Sequence, residues 1–132
     1  MQEPSIFTQI INGDIPSHKV YEDEKTLAFL NIFPSVPGHT LVIPKVQVDH
    51  LDDLGDEDYQ AVMATARKVM KRTKEVLDTK RACLKVQGFD VPHAHVHVIG
   101  CDTPADFFKA ENHQVEPDHE ALAAMAARLR FE

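Results

Sequence analysis

Cysteine and long apolar runs are both scarce in this sequence. Cys83 and Cys101 are its only cysteines and lie outside any C-x-x-C arrangement, so we expect reduced thiols rather than a disulfide framework or a cysteine zinc cluster. No stretch approaches the roughly 18 consecutive apolar residues of a membrane-spanning helix. The start, Met1-Gln2-Glu3-Pro4, lacks the basic and then apolar layout of a secretory signal. These features predict a cytoplasmic protein.

Basic residues are also in the minority. The chain has 14 lysines and arginines against 21 aspartates and glutamates, a formal net charge of −7. Nonspecific attraction to nucleic acid or to an anionic membrane requires a basic surplus, so neither is expected as a partner. The chain has 132 residues, of which 43% are hydrophobic, and it shows no internal repeat or linker. It can therefore build one core and one domain.

Hydrophobic spacing predicts the elements of the first half of the chain. A short helix begins after Ser5, a plausible cap, and ends at Gly13. Two strands follow at residues 18–22 and 26–31, joined by an acidic turn. The β-branched run at residues 39–43, which is followed by a proline, predicts a third strand.

The second half begins with a long helix that Asp56 can cap. Its apolar residues recur at i+3 and i+4, and its acidic residues lie early and its basic residues late, as a helix dipole favours. Strands are predicted at residues 82–87 and 91–99, joined by a short turn. Pro117 could occupy the first turn of a C-terminal helix whose apolar face is made by Leu122, Met125, Ala126 and Leu129. The pattern predicts an α+β single domain built on a five-stranded antiparallel sheet.

Three histidines, His93, His95 and His97, alternate with small or apolar residues in the last predicted strand. Alternate side chains on a strand point to the same face, so the three rings are expected together, with Ala94 and Val96 packing on the other side. One interpretation is that the rings decorate an exposed sheet face. Metal binding is another, because histidines at i and i+2 can chelate zinc.

A metal site would require ligands from outside this strand. Residues i and i+4 lie about 13 Å apart on a strand, whereas Zn–N bonds are only about 2.0–2.1 Å long, so one ion cannot readily take all three rings. A pair completed by His39 or His50 remains open. Phosphorus chemistry suits the row better, because a neutral imidazole is a nucleophile near pH 7 while neighbouring rings bind phosphate oxygens. The middle ring, His95, is then the predicted nucleophile.

These residues resemble the histidine triad (HIT) family of nucleotidyl hydrolases and transferases, whose signature is His-φ-His-φ-His-φ-φ with φ apolar. Residues 93–99 match every position, and the resemblance extends upstream through Ser5-Ile6-Phe7 and the run at residues 29–45 that ends Pro-Gly-His-Thr-Leu-Val-Ile-Pro-Lys. It covers about the first hundred residues and is greatest for the Hint-like branch. Within the single domain 1–132 it implies a core of about 5–100 and a C-terminal extension of about 101–132.

The resemblance implies a reaction and roles for the histidines. It implies hydrolysis or transfer at a purine nucleoside 5′-phosphate derivative, such as a phosphoramidate, an adenylate or a dinucleoside polyphosphate. His95 would carry a covalent nucleotidyl intermediate, His97 would contact the phosphate, and His93 would support the array or the leaving group. His39 matches a supporting histidine of the family, or is simply a hydrogen-bonded strand-start residue. No metal or other cofactor is implied, and a homodimer through the long helix and the following strand is expected.

Substrate contacts are also implied upstream. Five apolar residues fall where family members build the nucleobase slot, although each could equally be ordinary core: Phe7, Ile10, Ile15, Phe29 and Ile32. Asn31 replaces the aspartate that in many relatives binds the ribose hydroxyls, and could instead be a turn former.

The chain departs from the family pattern before the triad. Many members carry a glycine-rich phosphate loop there, whereas this chain has only the segment 87–92, in which Gln87 is the candidate replacement for the missing asparagine. Asp90 could repel a phosphate or raise the pKa of a neighbouring histidine. Ser5 and Thr8 occupy the region of an N-terminal cysteine pair that binds structural zinc in some branches. The alternatives to a hydrolase are a noncatalytic or weakly active nucleotide-binding module and a metal-dependent enzyme.

Overall fold

A computed structural model describes residues 2–132 of the protein. Within that range five strands form one antiparallel sheet in the order β1-β2-β3-β5-β4, and four α-helices accompany it. The predicted α+β fold on a five-stranded antiparallel sheet is confirmed. The elements in chain order are α1 Ile6–Ile11, β1 Lys19–Glu22, β2 Thr26–Leu30, β3 Thr40–Pro44, α2 Asp56–Leu77, β4 Arg81–Lys85, β5 Val96–Cys101, α3 Pro104–Phe108 and α4 His119–Leu129.

The two faces of the sheet bury different sets of apolar side chains. The long helix α2 and the C-terminal helix α4 pack on one face, where Val42 and Val98 from the central strands are fully buried. The short helix α1 belongs to the opposite face, where Phe7 and Ile10 pack with Leu27, Phe29, Leu41 and Ile43. Alternation along β3 separates the two sets. His97 is the β5 partner of Leu41, which places it on the α1 face.

Helix α1 begins and ends as its sequence predicts. The Oγ of Ser5 accepts a hydrogen bond from the backbone N–H of Thr8 at 3.0 Å, which makes Ser5 the N-cap. Gly13 follows the helix with φ 84°, a left-handed conformation that glycine adopts without a steric penalty. Ser5 is itself buried.

The first residues of α2 and α4 differ from the predictions. Gly55 is the N-cap of α2, and Asp56 is its first helical residue rather than its cap; Asp56 still lies where the helix dipole favours an acid. Pro117 precedes α4 instead of occupying its first turn. Asp118 caps that helix, and its carboxylate accepts the N–H of Ala121 at 3.1 Å. Proline has no side-chain acceptor and cannot make this capping bond.

The predicted strand at residues 91–99 starts late. Strand β5 begins at Val96, so His97 lies on it while His93 and His95 precede it, and the prediction of three rings on one strand is wrong. The backbone before Val96 is bound elsewhere: the N–H of Ala94 donates to the carbonyl of Val48 at 2.7 Å. The carbonyl of Pro44, the last residue of β3, is engaged by the ring of His93 at 2.9 Å. The pairing of β5 with β3 therefore ends at Val96, which lies opposite Val42.

The connection between β4 and β5 is a ten-residue excursion that includes His93 and His95, rather than a short turn. Strand β4 ends at Lys85, earlier than the predicted residue 87, and residues 86–95 leave the sheet before β5 begins. Gly88 adopts φ 95° within this segment, which we call the 86–95 loop. Its backbone passes near the triad, because a Cβ built on Gly88 would lie 3.9 Å from Cε1 of His95.

Residues after β5 return to the body of the fold. Leu122, Ala126 and Leu129 of α4 are buried in the core of the α2 face. The ring of Phe131 stacks on Tyr21 with centroids 4.8 Å apart, and its N–H donates to the carbonyl of Val20 at 3.1 Å. The helix α3, which the sequence analysis missed, lies between these residues and β5. No helix of residues 2–132 is long and apolar enough to cross a membrane.

Candidate active site

A cavity of about 200 Å³ opens on the α1 face and brings the predicted site residues together. Two of the triad rings, His95 and His97, form part of its wall. The remaining wall is mostly apolar and includes all the residues expected for the base and ribose: Phe7, Ile10, Ile15, Phe29, Asn31 and Ile32. A mostly apolar lining with a few polar groups is typical of a small-molecule site.

His95 is oriented by the backbone of the triad itself. Its Nδ1–H donates to the carbonyl of His93 at 2.7 Å, and since a carbonyl can only accept, the proton of the neutral ring lies on Nδ1. Nε2 then carries the free lone pair. The edge-to-face contact with Phe7, with centroids 5.0 Å apart, fixes the ring further.

His97 lies at the end of a chain of hydrogen bonds that starts at a backbone amide. The N–H of Ser35 donates to Nδ1 of His39 at 3.1 Å, so the proton of that ring lies on Nε2 and is donated to Nδ1 of His97 at 2.8 Å. His97 must then carry its own proton on Nε2. That buried N–H finds no hydrogen-bond partner among the residues that the structure describes.

Burial holds the rings of His39 and His97 in the neutral form. Desolvation lowers the pKa of His39 to about 3, with His97 and Lys85 adding positive charge nearby. Desolvation and the neighbouring His95 lower the pKa of His97 to about 4, and Glu111 opposes the shift. Because a neutral His97 keeps an N–H on Nε2, the site presents a hydrogen-bond donor that carries no charge.

His93 stands behind the cavity wall and both its ring nitrogens are engaged. Nε2–H donates to the Pro44 carbonyl at 2.9 Å, so Nδ1 accepts the hydroxyl of Ser5 at 2.8 Å. Desolvation lowers the pKa of this ring as well. His93 therefore has no nitrogen free for a substrate.

Ser5 and Thr8 belong to a hydrogen-bonded cluster rather than a zinc site. The Oε1 of Gln47 accepts the hydroxyl of Thr8 at 2.6 Å and the N–H of Ser5 at 2.7 Å, and the cluster reaches His93 through Ser5. Zinc prefers thiolate and imidazole ligands, and here hydroxyls and an amide surround a single imidazole. The donor set does not fit a structural zinc ion.

Asn31 and Gln87 lie in different surroundings. The Oδ1 of Asn31 accepts the N–H of Phe33 at 2.8 Å, which is the turn-forming role, while the residue still lines the cavity of His95. Gln87 lines a neighbouring cavity of about 380 Å³ that also contacts His39. His50, the other histidine considered as a metal ligand, has a 70% exposed side chain beside Asp49.

The sequence analysis missed two polar residues of the site, both in the segment between α3 and α4. An Oε2 atom of Glu111 lies 4.0 Å from Nδ1 of His97, and its Oε1 accepts Nε2–H of His113 at 3.0 Å when that nitrogen carries the proton. The His113 ring lies 4.3 Å from that of Phe33. No periodicity or motif marks these residues, so only their position in the fold reveals them.

Ligand atoms of His39, His97 and Glu111 all lie within 4.8 Å of one another, a spacing that a metal ion could also produce. The 2.8 Å contact between the two rings is that of a shared proton. The Oε2 atom of Glu111 lies 4.0 Å from Nδ1 of His97, which is beyond hydrogen-bond distance. We therefore interpret the trio as a proton network.

Comparison with known proteins decides the family. The family model described as the HIT domain matches residues 12–103. The chain belongs to the HIT family. The family assignment made from the triad is therefore confirmed.

Individual relatives agree with this assignment. This HIT protein is 42% identical over 102 residues to the Bacillus subtilis protein "Protein hit", covering 74% of this chain and 70% of the relative. It is 33% identical over 106 residues to the purine nucleoside phosphoramidase of Escherichia coli K12, covering 76% and 89%. A crystal structure of a Hit-like protein from Bartonella henselae superposes with a TM-score of 0.82 at 29% identity, covering 98% of this chain and 97% of that one.

Proposed function

We propose that this protein hydrolyses purine nucleoside 5′-phosphate derivatives through a covalent nucleotidyl intermediate on His95. The observation that carries the proposal is the orientation of His95: its Nδ1–H is bound to a carbonyl and its Nε2 lone pair is free beside an apolar cavity. A neutral imidazole held in this way is a nucleophile near pH 7. The naming of an E. coli relative as a purine nucleoside phosphoramidase supports the substrate class.

The proposed reaction has two steps that balance. The Nε2 lone pair of His95 forms a bond to the α-phosphorus while the bond to the leaving group breaks. The leaving atom keeps the electron pair and, where it is an amine nitrogen, also takes a proton from a donor in the site. Water then attacks the same phosphorus and releases a proton to a base in the site or to solvent, and the N–P electron pair returns to Nε2. The buried Nε2–H of His97 is the donor available to the phosphate, and a hydrogen bond to a charged group can contribute about 1.5–3 kcal/mol. This N–H has no hydrogen-bond partner within residues 2–132, which supports this role.

The supporting residues hold the two working rings. His93 offers its carbonyl to His95 while its own nitrogens are bound to Ser5 and Pro44. His39 determines which nitrogen of His97 carries the proton. The apolar wall of Phe7, Ile10, Ile15, Phe29 and Ile32 is the proposed base slot, with Asn31 beside the ribose. Gln87 lies in the neighbouring cavity and is proposed to contact the phosphate chain or leaving group.

A homodimer and a cytoplasmic location remain predictions. Strand β4 lies at one edge of the sheet, and an edge with unpaired backbone groups is suited to pairing with a second chain. This supports the expected dimer through α2 and β4.

Trapping the adduct tests the proposal. Incubation with a nucleoside phosphoramidate, an adenylate or a dinucleoside polyphosphate, followed by rapid quenching and mass spectrometry, should show one nucleotidyl group on His95. In His95→Ala the adduct and hydrolysis should both disappear while nucleotide affinity stays within about tenfold, because the nucleophile acts chiefly in the transition state. His50→Ala, at an exposed histidine, is the matched control and should behave as the parent.

Three outcomes would contradict the proposal. Hydrolysis retained in His95→Ala would remove His95 as the nucleophile. Tight nucleotide binding with no turnover on any of the three substrate classes would favour the noncatalytic binding module. Loss of activity on chelation with recovery on adding zinc would favour the metal-dependent enzyme.

A further inference from the structure

Glu111 lies beside the proton network of His97 without a hydrogen bond to it. Its side chain is only 20% exposed, and its Oε2 lies 4.0 Å from Nδ1 of His97. The carboxylate, Nε2 of His39 and the His97 nitrogen are all within 4.8 Å of one another. His113 binds the other carboxylate oxygen at 3.0 Å and so anchors Glu111 in this place.

The hydrogen bonds of the free protein allow only a neutral His97. Nδ1 of His97 accepts the proton of His39, and His39 cannot reverse this bond because the N–H of Ser35 occupies its other nitrogen. A proton added to His97 would place two N–H groups face to face. A protonated His97 therefore needs a different acceptor for its Nδ1–H, and Glu111 Oε2 is the acceptor within reach.

We propose that Glu111 is a positioning residue that lets His97 act as the proton donor to the leaving group, and that it biases the enzyme towards substrates whose leaving group must be protonated, such as amines. This inference rests on the proposed function. When an anionic phosphate enters the cavity, His97 takes up a proton. Oε2 of Glu111 then accepts Nδ1–H of His97 and Nε2–H of His39, while Oε1 keeps its bond to His113.

In the proposed cycle, Nε2 of His97 first gives up a proton and then takes one back. Protonated His97 gives its Nε2 proton to the leaving nitrogen as the P–N bond breaks and that nitrogen takes the electron pair. The ring is then neutral with its proton on Nδ1, bound to Glu111, and its Nε2 lone pair is free. That lone pair removes a proton from the water that attacks the phosphorus on His95, which restores protonated His97. One water is consumed, and the amine and the nucleoside monophosphate are released.

The charges that face His97 come from several elements. Two groups disfavour its protonation: His95, and Lys85 at the end of β4. Two others favour it: Glu111, and Asp90 in the 86–95 loop. The ring of His39 is hydrogen-bonded to Nδ1 of His97. Glu111 raises the pKa of His97 more than Asp90 does. The Nζ of Lys85 donates a hydrogen bond to the carbonyl of Phe107 at 2.9 Å.

The test compares two leaving groups in Glu111→Gln. With an alkylamine phosphoramidate, the pre-steady-state rate of adduct formation on His95 should fall at least about tenfold, since general acid catalysis contributes about 10²–10⁴-fold. With a p-nitrophenyl ester of the same nucleoside monophosphate, whose leaving group needs no proton, that rate should stay within about twofold. The alkaline limb of the pH profile of adduct formation for the amine should move to lower pH by about one unit, because loss of the carboxylate charge lowers the pKa of bound His97.

Glu116→Gln, at an exposed acid of the same segment, is the matched control and should leave both substrates unchanged. Affinity for the nucleoside monophosphate reports whether Glu111→Gln is folded, and Glu111→Asp, which retains a carboxylate, should recover part of the amine activity. Equal losses on both substrates, or no loss on either, would overturn the proposal while leaving the nucleophile assignment intact. Absence of His95-dependent hydrolysis in the parent would instead overturn the proposed function, and this inference with it.

Discussion

The buried histidine rings make the folded protein sensitive to acid. The folded-state pKa values of His39 and His97 are lowered to about 3 and about 4, and that of His93 is also lowered, whereas a histidine in the unfolded chain titrates near 6.5. Between those values the unfolded chain binds more protons than the folded one, so stability falls as the pH falls. Each such proton is worth about 1.4 kcal/mol per pH unit.

We therefore expect the free energy of unfolding to decrease from about pH 6.5 towards about pH 4, with about two to three protons taken up on unfolding near pH 5. Urea titrations across this range measure the slope. His39→Gln should show a shallower slope, because one buried titrating ring is gone. His50→Gln, at an exposed ring, should keep the slope of the parent. A stability that does not change across this range would contradict the account of the buried rings.

Among the elements, α1 connects the apolar slot to the triad. It presents Phe7 and Ile10 to the cavity, and its N-cap Ser5 is the residue that binds His93. The cap and the triad thus share one hydroxyl. A change at Ser5 should affect both the stability of the helix and the orientation of the rings behind the cavity.

Ser5→Ala should lower the free energy of unfolding by about 1–2 kcal/mol, because it removes a helix cap and leaves Nδ1 of a buried ring without its 2.8 Å partner. Thermal and urea unfolding measure the loss. Ser17→Ala is the matched control, since the buried Oγ of Ser17 has no hydrogen-bond partner within residues 2–132, and its removal should cost little. Equal losses in the two variants would show that the Ser5 hydroxyl contributes nothing specific.

At the scale of the whole molecule, the residues after β5 serve both the core and the site. Helix α4 buries three side chains against α2 and the sheet, and Arg72 of α2 donates to the carbonyls of Arg128, Leu129 and Arg130 that end α4. The segment that carries Glu111 runs between α3 and α4. The position of Glu111 beside His97 therefore depends on how firmly α4 is packed.

Leu129→Ala should lower the free energy of unfolding by about 2–5 kcal/mol, the usual cost of truncating a fully buried leucine; Leu129 is 1% exposed. Glu120→Ala on the exposed side of α4 should stay within about 0.5 kcal/mol of the parent. Chemical denaturation of the two variants checks this. A Leu129→Ala protein as stable as the parent would mean that α4 is only loosely attached.

The sequence by itself determined the five strands, the helices α1, α2 and α4, the family, and the apolar residues and two histidines of the cavity. Along β3, Leu41 and Ile43 point to one face of the sheet and Val42 points to the other. Such alternation involves only neighbouring residues, so it can be read directly from the sequence. The triad was recognisable because three alternating histidines are unusual for an ordinary strand. The apolar residues of α1 and β2 were assigned from the family resemblance, because their own types and spacing are also those of ordinary core. Most of the predicted site residues line one cavity, with His93 directly behind it, whereas His39 and Gln87 line the neighbouring one.

The tertiary structure alone decided where β5 begins, which nitrogen of each ring carries a proton, and which group faces His97. Each depends on hydrogen bonds between distant segments: Ser5 and His93 are 88 residues apart, and His39 and His97 are 58 apart. Glu111 reaches the triad because α3 and α4 return the chain across the site. Contacts of this kind have no period and no fixed spacing, so they leave no pattern in the sequence, and only the packed chain brings their partners within bonding distance.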